Sequence, residues 1–151
     1  MNTEQQKETN RIIVCGVLGI ITMVYLALIG CVNVQHFNYK MNSDIGAEAV
    51  LARLIWDSGE MVPSTWISST ETRIIATPQL AALFYGWTGD MNLGLGLACC
   101  VMTIGILLAI WHFMKKAGFR TESCLLMCVL SLALSGNMTI LELLYLFASY
   151  Y

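Results

Sequence analysis

Charge is what this 151-residue sequence has least of: charged residues make up 12% of it, against about a quarter in ordinary soluble domains. Ten Asp and Glu against eight Lys and Arg leave a net charge of -2. No block of Lys and Arg is large enough to follow a phosphate backbone, so nucleic acid is not an expected partner. Histidine is nearly missing as well. His36 and His112 stand alone and no CxxC occurs, which removes the usual spacings of a zinc site. The six cysteines, Cys15, Cys31, Cys99, Cys100, Cys124 and Cys128, all lie in apolar runs. Cysteine in such surroundings behaves as a small hydrophobe, so free thiols are expected and no disulfide framework.

What remains is hydrophobic. Apolar residues make up 57% of the chain, and its mean hydropathy is +0.67. The composition predicts an all-α integral membrane protein with about three transmembrane helices and a large external loop containing short interfacial helices. Residues 12–33 form the first predicted span, since an apolar run of about 21 residues suffices for a hydrocarbon core of about 30 Å. No small-residue cleavage site follows, so an uncleaved anchor is expected rather than a signal peptide. Residues 91–114 form the second, with Gly94, Gly96, Ala98 and Gly105 permitting close helix contact. Residues 122–149 form the third. Ser135, Gly136 and Asn137 interrupt it, leaving either one crossing or a helix that leaves the membrane there.

Lys115, Lys116 and Arg120 crowd the short loop at residues 115–121. Positive residues collect on the cytoplasmic side. Together with Lys7 and Arg11 they predict a multi-pass protein of the cell membrane, with its N-terminus in the cytoplasm and residues 34–90 outside. Lys40, Arg53 and Arg73 fall in that outer segment, where long loops carry less weight in the bias.

The outer segment concentrates the chemistry. Residues 42–73 hold Asp44, Glu48, Asp57, Glu60 and Glu71, half of the ten acids, with Arg53, Arg73, Trp56 and Trp66. Ser43 or Asp44 can cap a helix over about residues 43–57, with Ile45, Ala49, Ala52 and Ile55 on one face. It is too short and too charged to cross, and is expected to lie along the surface. Gly59 ends it. Residues 74–87, an apolar run interrupted by Pro78, predict a second interfacial helix, and Asp90 is placed to cap the span that follows.

The succession Asn42-Ser43-Asp44, Ala47-Glu48, Leu51-Ala52, Pro63-Ser64-Thr65-Trp66 and Ser69-Thr70-Glu71-Thr72-Arg73 resembles the first outer loop of bacterial polytopic C-type glycosyltransferases. That family uses lipid-linked sugar donors. The resemblance implies an N-terminal fragment of an enzyme that moves a sugar from a polyprenyl-phosphate donor to an extracytoplasmic acceptor. A carboxylate early in the loop acts as base in such enzymes, and by position this is Asp44. Proton acceptance from an attacking hydroxyl requires such a group at the site where the donor headgroup enters.

Around that base the residues themselves suggest other roles. Glu48, one turn later, is a second candidate carboxylate. Arg53 and Arg73 offer forked donors to a phosphate. Trp66 can stack on a sugar, and Glu71 completes the candidate set. No cofactor is expected, a divalent cation between carboxylates being the one candidate. Each residue also has a plainer reading: Asp44 as helix cap, Glu48 as solvated helix residue, the arginines as ion-pair partners, Trp66 as interfacial anchor. The alternative function is therefore a non-enzymatic small multi-span subunit or scaffold. The chain stops at Ser149-Tyr150-Tyr151 inside an apolar run. This predicts missing C-terminal helices or a further multi-span partner, and no activity for the chain alone.

Overall fold

The computed structural model describes residues 3–35, 43–67 and 76–133, except for the side chains of residues 3, 43 and 44. Those residues are all-helical, with no strand among them: α1 (Thr3–Gln35), α2 (Ser43–Ser58), α3 (Thr77–Thr88), α4 (Met91–Lys116) and α5 (Thr121–Ala133). Two of the helices, α1 and α4, are long and apolar enough to cross a membrane. At 1.5 Å per residue their 33 and 26 residues extend about 50 and 39 Å. α1 therefore begins well before the predicted span, taking in the polar residues up to Arg11 as helix.

A helix of such length also forms in the core of a soluble protein, where it is covered by other elements. α1 is not covered: 6% of its most apolar stretch is buried, against 39% in α4. Its few hydroxyls are satisfied within the helix. Thr22 Oγ1 donates to the Leu18 carbonyl at 2.8 Å, and in α4 Thr103 Oγ1 donates to the Cys99 carbonyl at 2.9 Å. This back-bonding satisfies both hydroxyls without water.

The described chain divides into two compact units, one holding the residues up to Leu28 and from Ile104 on, the other Ile29–Thr103. In the second unit α2 packs along α3. Ile45, Ala52 and Ile55 are buried on α2, and Ala81 and Ala82 on α3. Small residues let the two backbones approach. The same holds where α4 meets its neighbours within this unit. A Cβ on Gly94 would stand 3.0 Å from the Ala81 carbonyl oxygen and 3.1 Å from the Tyr85 nitrogen, and one on Gly96 would run into the Asn33 carbonyl of α1. Gly94, Gly96 and Ala98 thus act as the sequence predicts. Gly105 does not, having open space beside it.

The helix ends follow local chemistry. Gly59 and Gly89 take left-handed φ of 70° and 71° and donate to the Ile55 and Tyr85 carbonyls at 2.9 and 2.8 Å, closing α2 and α3. Asp90 Oδ1 accepts the Asn92 and Leu93 amides at 2.8 and 3.2 Å, capping α4. Pro78 differs from expectation. It lies in the first turn of α3 instead of interrupting a helix from residue 74, because proline has no N–H to lose there. Residues 74 and 75 lie outside the described residues, as does everything after Ala133. The 13 described residues of α5 reach about 20 Å, and the remainder of the predicted third span lies outside the described residues.

In the first unit Arg11 of α1 forms an ion pair with Glu122 in the first turn of α5. Glu122 is held below the ordinary glutamate range first by its own backbone amide, which outweighs the opposing desolvation, and then by the nearby Arg11 and the charge of Arg120.

Candidate functional site

The candidate residues that the structure describes gather on α2 and the turn that follows it. Asp44 stands in the first turn of α2 by its backbone, one turn before Glu48. Its side chain lies outside the described residues. Glu48 is not the solvated helix residue of the plainer reading: it is half-buried, with one carboxylate oxygen shielded from solvent. The cause is the helix periodicity. Position 48 lies three residues from Ile45 and four from Ala52, both in the α2 core, so part of its stem is drawn in with them.

Arg53 has definite partners. Its Nε lies 2.8 Å from Asp57 Oδ2, the spacing of four residues placing both on one stripe of α2. The guanidinium carbon also sits 4.8 Å from the centroid of the Tyr85 ring of α3, within cation–π range. Trp56 meets the same ring edge-on, centroids 6.3 Å apart at 83°. Gly86 makes room for it, since a Cβ there would overlap the Trp56 indole. Arg53 is thus splayed over an aromatic wall with its outer side exposed. A surface pair of this kind contributes only about 0.3 to 0.5 kcal/mol, so a phosphate offering two charge-assisted hydrogen bonds can displace Asp57.

The turn after α2 is tied down by its own side chains. Ser58 Oγ accepts the Glu60 amide at 3.2 Å, Glu60 Oε2 accepts the Ser64 amide at 3.1 Å, and the Trp66 amide donates to the Pro63 carbonyl at 3.0 Å. Pro63 is buried and Trp66 half-buried beyond it. Gln79 fixes this turn to α3. Its Nε2 donates to the Met61 carbonyl at 3.3 Å while its Oε1 accepts the Ala76 amide at 2.9 Å.

Glu71 and Arg73 lie outside the described residues. Of the predicted set, Asp44, Glu48, Arg53 and Trp66 lie along one stretch of backbone, α2 and its turn, with Glu48 one turn from Asp44 and Arg53, about two and a half turns on, at the opposite side of the helix. Sequence reasoning missed Tyr85, Gln79 and Asn33. Tyr85 carried no distinguishing mark among apolar neighbours. Gln79 did: it is the one amide in an apolar run, three residues after the extended Ala76, the spacing of a reciprocal cap. Asn33, buried at the end of α1 with Nδ2 3.8 Å from Cys100 Sγ, could have been found as a polar residue at the edge of a span.

Among the described residues no group of three or more His, Cys, Asp or Glu is arranged to hold a metal ion. The class defined to this point is an all-helical protein with two helices of membrane-crossing length and a packed helix pair between them in sequence. No family model matches the chain, and neither a curated protein nor a solved structure proves similar to it.

Proposed function

We propose that this chain is the N-terminal part of an integral-membrane glycosyltransferase. In this reading α1 and α4 cross the membrane and the α2–α3 pair lies on its extracytoplasmic face. α1 leads away from the cytoplasm and α4 returns, so the polar helix pair and the basic α4–α5 turn fall on opposite sides. Residues 122–149 supply the third crossing. The donor is a sugar on a polyprenyl phosphate, which reaches α2 from the bilayer. Asp44 accepts the proton of the acceptor hydroxyl as it attacks the anomeric carbon, the bond from that carbon to the phosphate oxygen breaks, and the polyprenyl phosphate leaves with the electron pair; Glu48 stands one turn deeper. Arg53 and Arg73 hold the donor phosphate, with Trp66 and Glu71 beside the sugar.

The observation that carries this reading is Arg53. Its guanidinium is positioned by Tyr85 and held by one exposed ion pair, an arrangement that keeps a cation oriented and exchangeable. The likeness of residues 42–73 to the family's first outer loop supports it independently.

The reading is tested in two stages. In lipid nanodiscs the purified chain should bind a polyprenyl-phosphate sugar, as read by native mass spectrometry, and Arg53→Gln should weaken that binding. In membranes of the source cell, Asp44→Asn should leave binding and insertion unchanged and lower transfer by a factor on the order of 100 to 10,000, the usual worth of a general base. Near-normal turnover of Asp44→Asn would reduce that residue to a helix cap.

A second reading is favoured by one observation on α1. Cys15, Gly16, Gly19, Ile20, Met23 and Val24 line a shallow apolar groove open along the helix, a shape that a neighbouring helix fits. A subunit or scaffold that packs against a larger multi-span protein would use that groove and need no catalytic Asp44. Failure of the chain to bind the donor, with recovery in a stoichiometric complex, would favour it.

A further inference from the structure

The turn that joins α4 to α5 is basic, aromatic and rigid. α4 ends on Lys115 and Lys116, and its last carbonyls are closed in a defined way. The Ala117 amide donates to the Phe113 carbonyl at 2.9 Å, Gly118 to Lys115 at 3.1 Å and Phe119 to Met114 at 3.0 Å, with Gly118 at a left-handed φ of 83°. This paired closure needs glycine at the left-handed position. Arg120 follows, its carbonyl accepting the Cys124 amide at 3.1 Å as α5 begins. Three cationic residues therefore lie on a turn whose backbone is closed between two helix ends.

Their charge is only partly offset nearby: Arg120 acts on Glu122 electrostatically, and among the described residues neither lysine has a carboxylate partner. The carboxylate closest in sequence is Glu122, which Arg11 already engages. Among the described residues no carboxylate lies within ion-pair distance of Lys115, Lys116 or Arg120. Lys115 Nζ has only a long contact with Thr121 Oγ1, 3.5 Å. Two aromatic rings flank the lysines and are uncovered: Phe113 is 70% exposed and Phe119 49%. Basic residues after a span would be explained by orientation alone. Orientation does not require a stiffened turn, nor a phenylalanine on either side of it.

We propose that residues 113–120 form a binding surface for anionic phospholipid headgroups. The ammonium groups of Lys115 and Lys116 and the Arg120 guanidinium take the lipid phosphate, and Phe113 and Phe119 lodge among the first acyl carbons. The proposal rests on α4 crossing a bilayer, and it is independent of any catalytic role for α2. Each cation near an anionic surface favours binding by about fivefold, an effect that fades within a Debye length and with added salt.

Trp111, one turn before Lys115, serves as the reporter. In a Trp56→Phe, Trp66→Phe, Trp87→Phe background it is the sole tryptophan, and the protein is reconstituted in phosphatidylcholine nanodiscs with brominated phosphatidylglycerol or brominated phosphatidylcholine. The anionic lipid should quench Trp111 at a several-fold lower mole fraction than the zwitterionic one. Salt should reduce that preference, and Lys115→Gln, Lys116→Gln and Arg120→Gln together should abolish it. The double lysine variant, which leaves the start of α5 untouched, should lose most of it and guards against a folding defect in the triple variant. Equal quenching by both lipids in the parent protein would overturn the proposal, as would a preference that survives neutralisation of all three cations. Quenching by neither lipid would show that α4 does not meet a bilayer, which is a failure of the membrane reading and not of this surface alone.

Discussion

Isoleucine occupies opposite environments on α2 and on the part of α1 before Ile29. On α2, Ile45 and Ile55 are 6% and 8% exposed, while Ile12 and Ile20 of α1 are 68% and 66% exposed. The side chain is the same and the helix is the same, so hydrophobicity does not account for the difference. What differs is the neighbour. α2 faces α3 through Ala52, Ala81 and Ala82, residues small enough for the two backbones to close on each other, and its apolar side chains are covered by protein. α1 has its glycines too, but Gly16, Gly19 and Gly30 have open space beside them. Its side chains await another solvent. The comparison teaches that apolar residues select a low-dielectric environment, whereas the placement of small residues decides whether the chain itself supplies it.

The largest expected effect is all-or-none and concerns where the two regions lie. In a background without the six native cysteines, an impermeant thiol reagent applied to intact cells should label Ser58→Cys and leave Ala117→Cys unlabelled. The opposite pattern inverts the protein and removes the extracytoplasmic site with it.

Next in size is the contrast between glycines. Gly96→Leu forces side-chain atoms against the Asn33 backbone, which cannot give as a flexible side chain can. It should destabilise the folded protein by about 1 to 3 kcal/mol, the usual cost of overpacking. Gly105→Leu, on the same helix with open space, should be close to neutral. Thermal unfolding of both in detergent measures the difference, and equal melting temperatures would show that the close approach of Asn33 and Gly96 does not persist.

Arg53→Gln sharpens the comparison within α2. It removes an exposed ion pair and a cation–π contact at 2.8 and 4.8 Å, each worth only about 0.3 to 1 kcal/mol. Stability should fall by no more than about 2 kcal/mol while donor binding falls further. A large loss of stability without a selective loss of binding would make Arg53 structural.

The smallest effect is a pH dependence in the α1–α5 unit. The folded state lowers the pKa of Glu122, so the unfolded chain takes up the proton first as the pH drops. The pair therefore stabilises the protein above the ordinary glutamate range and loses that contribution as the pH falls through the depressed folded value. Wild type and Glu122→Gln should differ slightly in melting temperature at neutral pH and converge in acid. A gap that widens in acid would contradict the assignment.

Much of the helical layout was legible in residues 12–33 and 91–114, because an apolar run of that length has few other uses. The bounds of α2 were legible in Ser43, Asp44 and Gly59, and the cap of α4 in Asp90, because caps and stops act locally. Pro78 was misplaced by a few residues, since an apolar run does not reveal whether a proline sits inside a helix or begins it. Sequence spacing alone allows Glu48 to be fully solvated, whereas the structure draws it in beside Ile45 and Ala52. Of the partners open to Arg53, sequence spacing allowed several, and only the fold selects Asp57.

Composition and periodicity by themselves determined the helical class, the two helices long and apolar enough to cross a membrane, and the capped start of α4. Each of these follows from residues adjacent in sequence, through hydrogen bonds that close within four or five positions. Only the tertiary structure decided that Tyr85 and Trp56 form a wall behind Arg53, that Gln79 holds the turn at Met61, that Gly96 meets Asn33 while Gly105 meets nothing, and that Arg11 reaches Glu122. Those contacts join residues up to about a hundred positions apart, and they depend on the distance of approach between helices, which the size of the side chains at the crossing sets and no local pattern records.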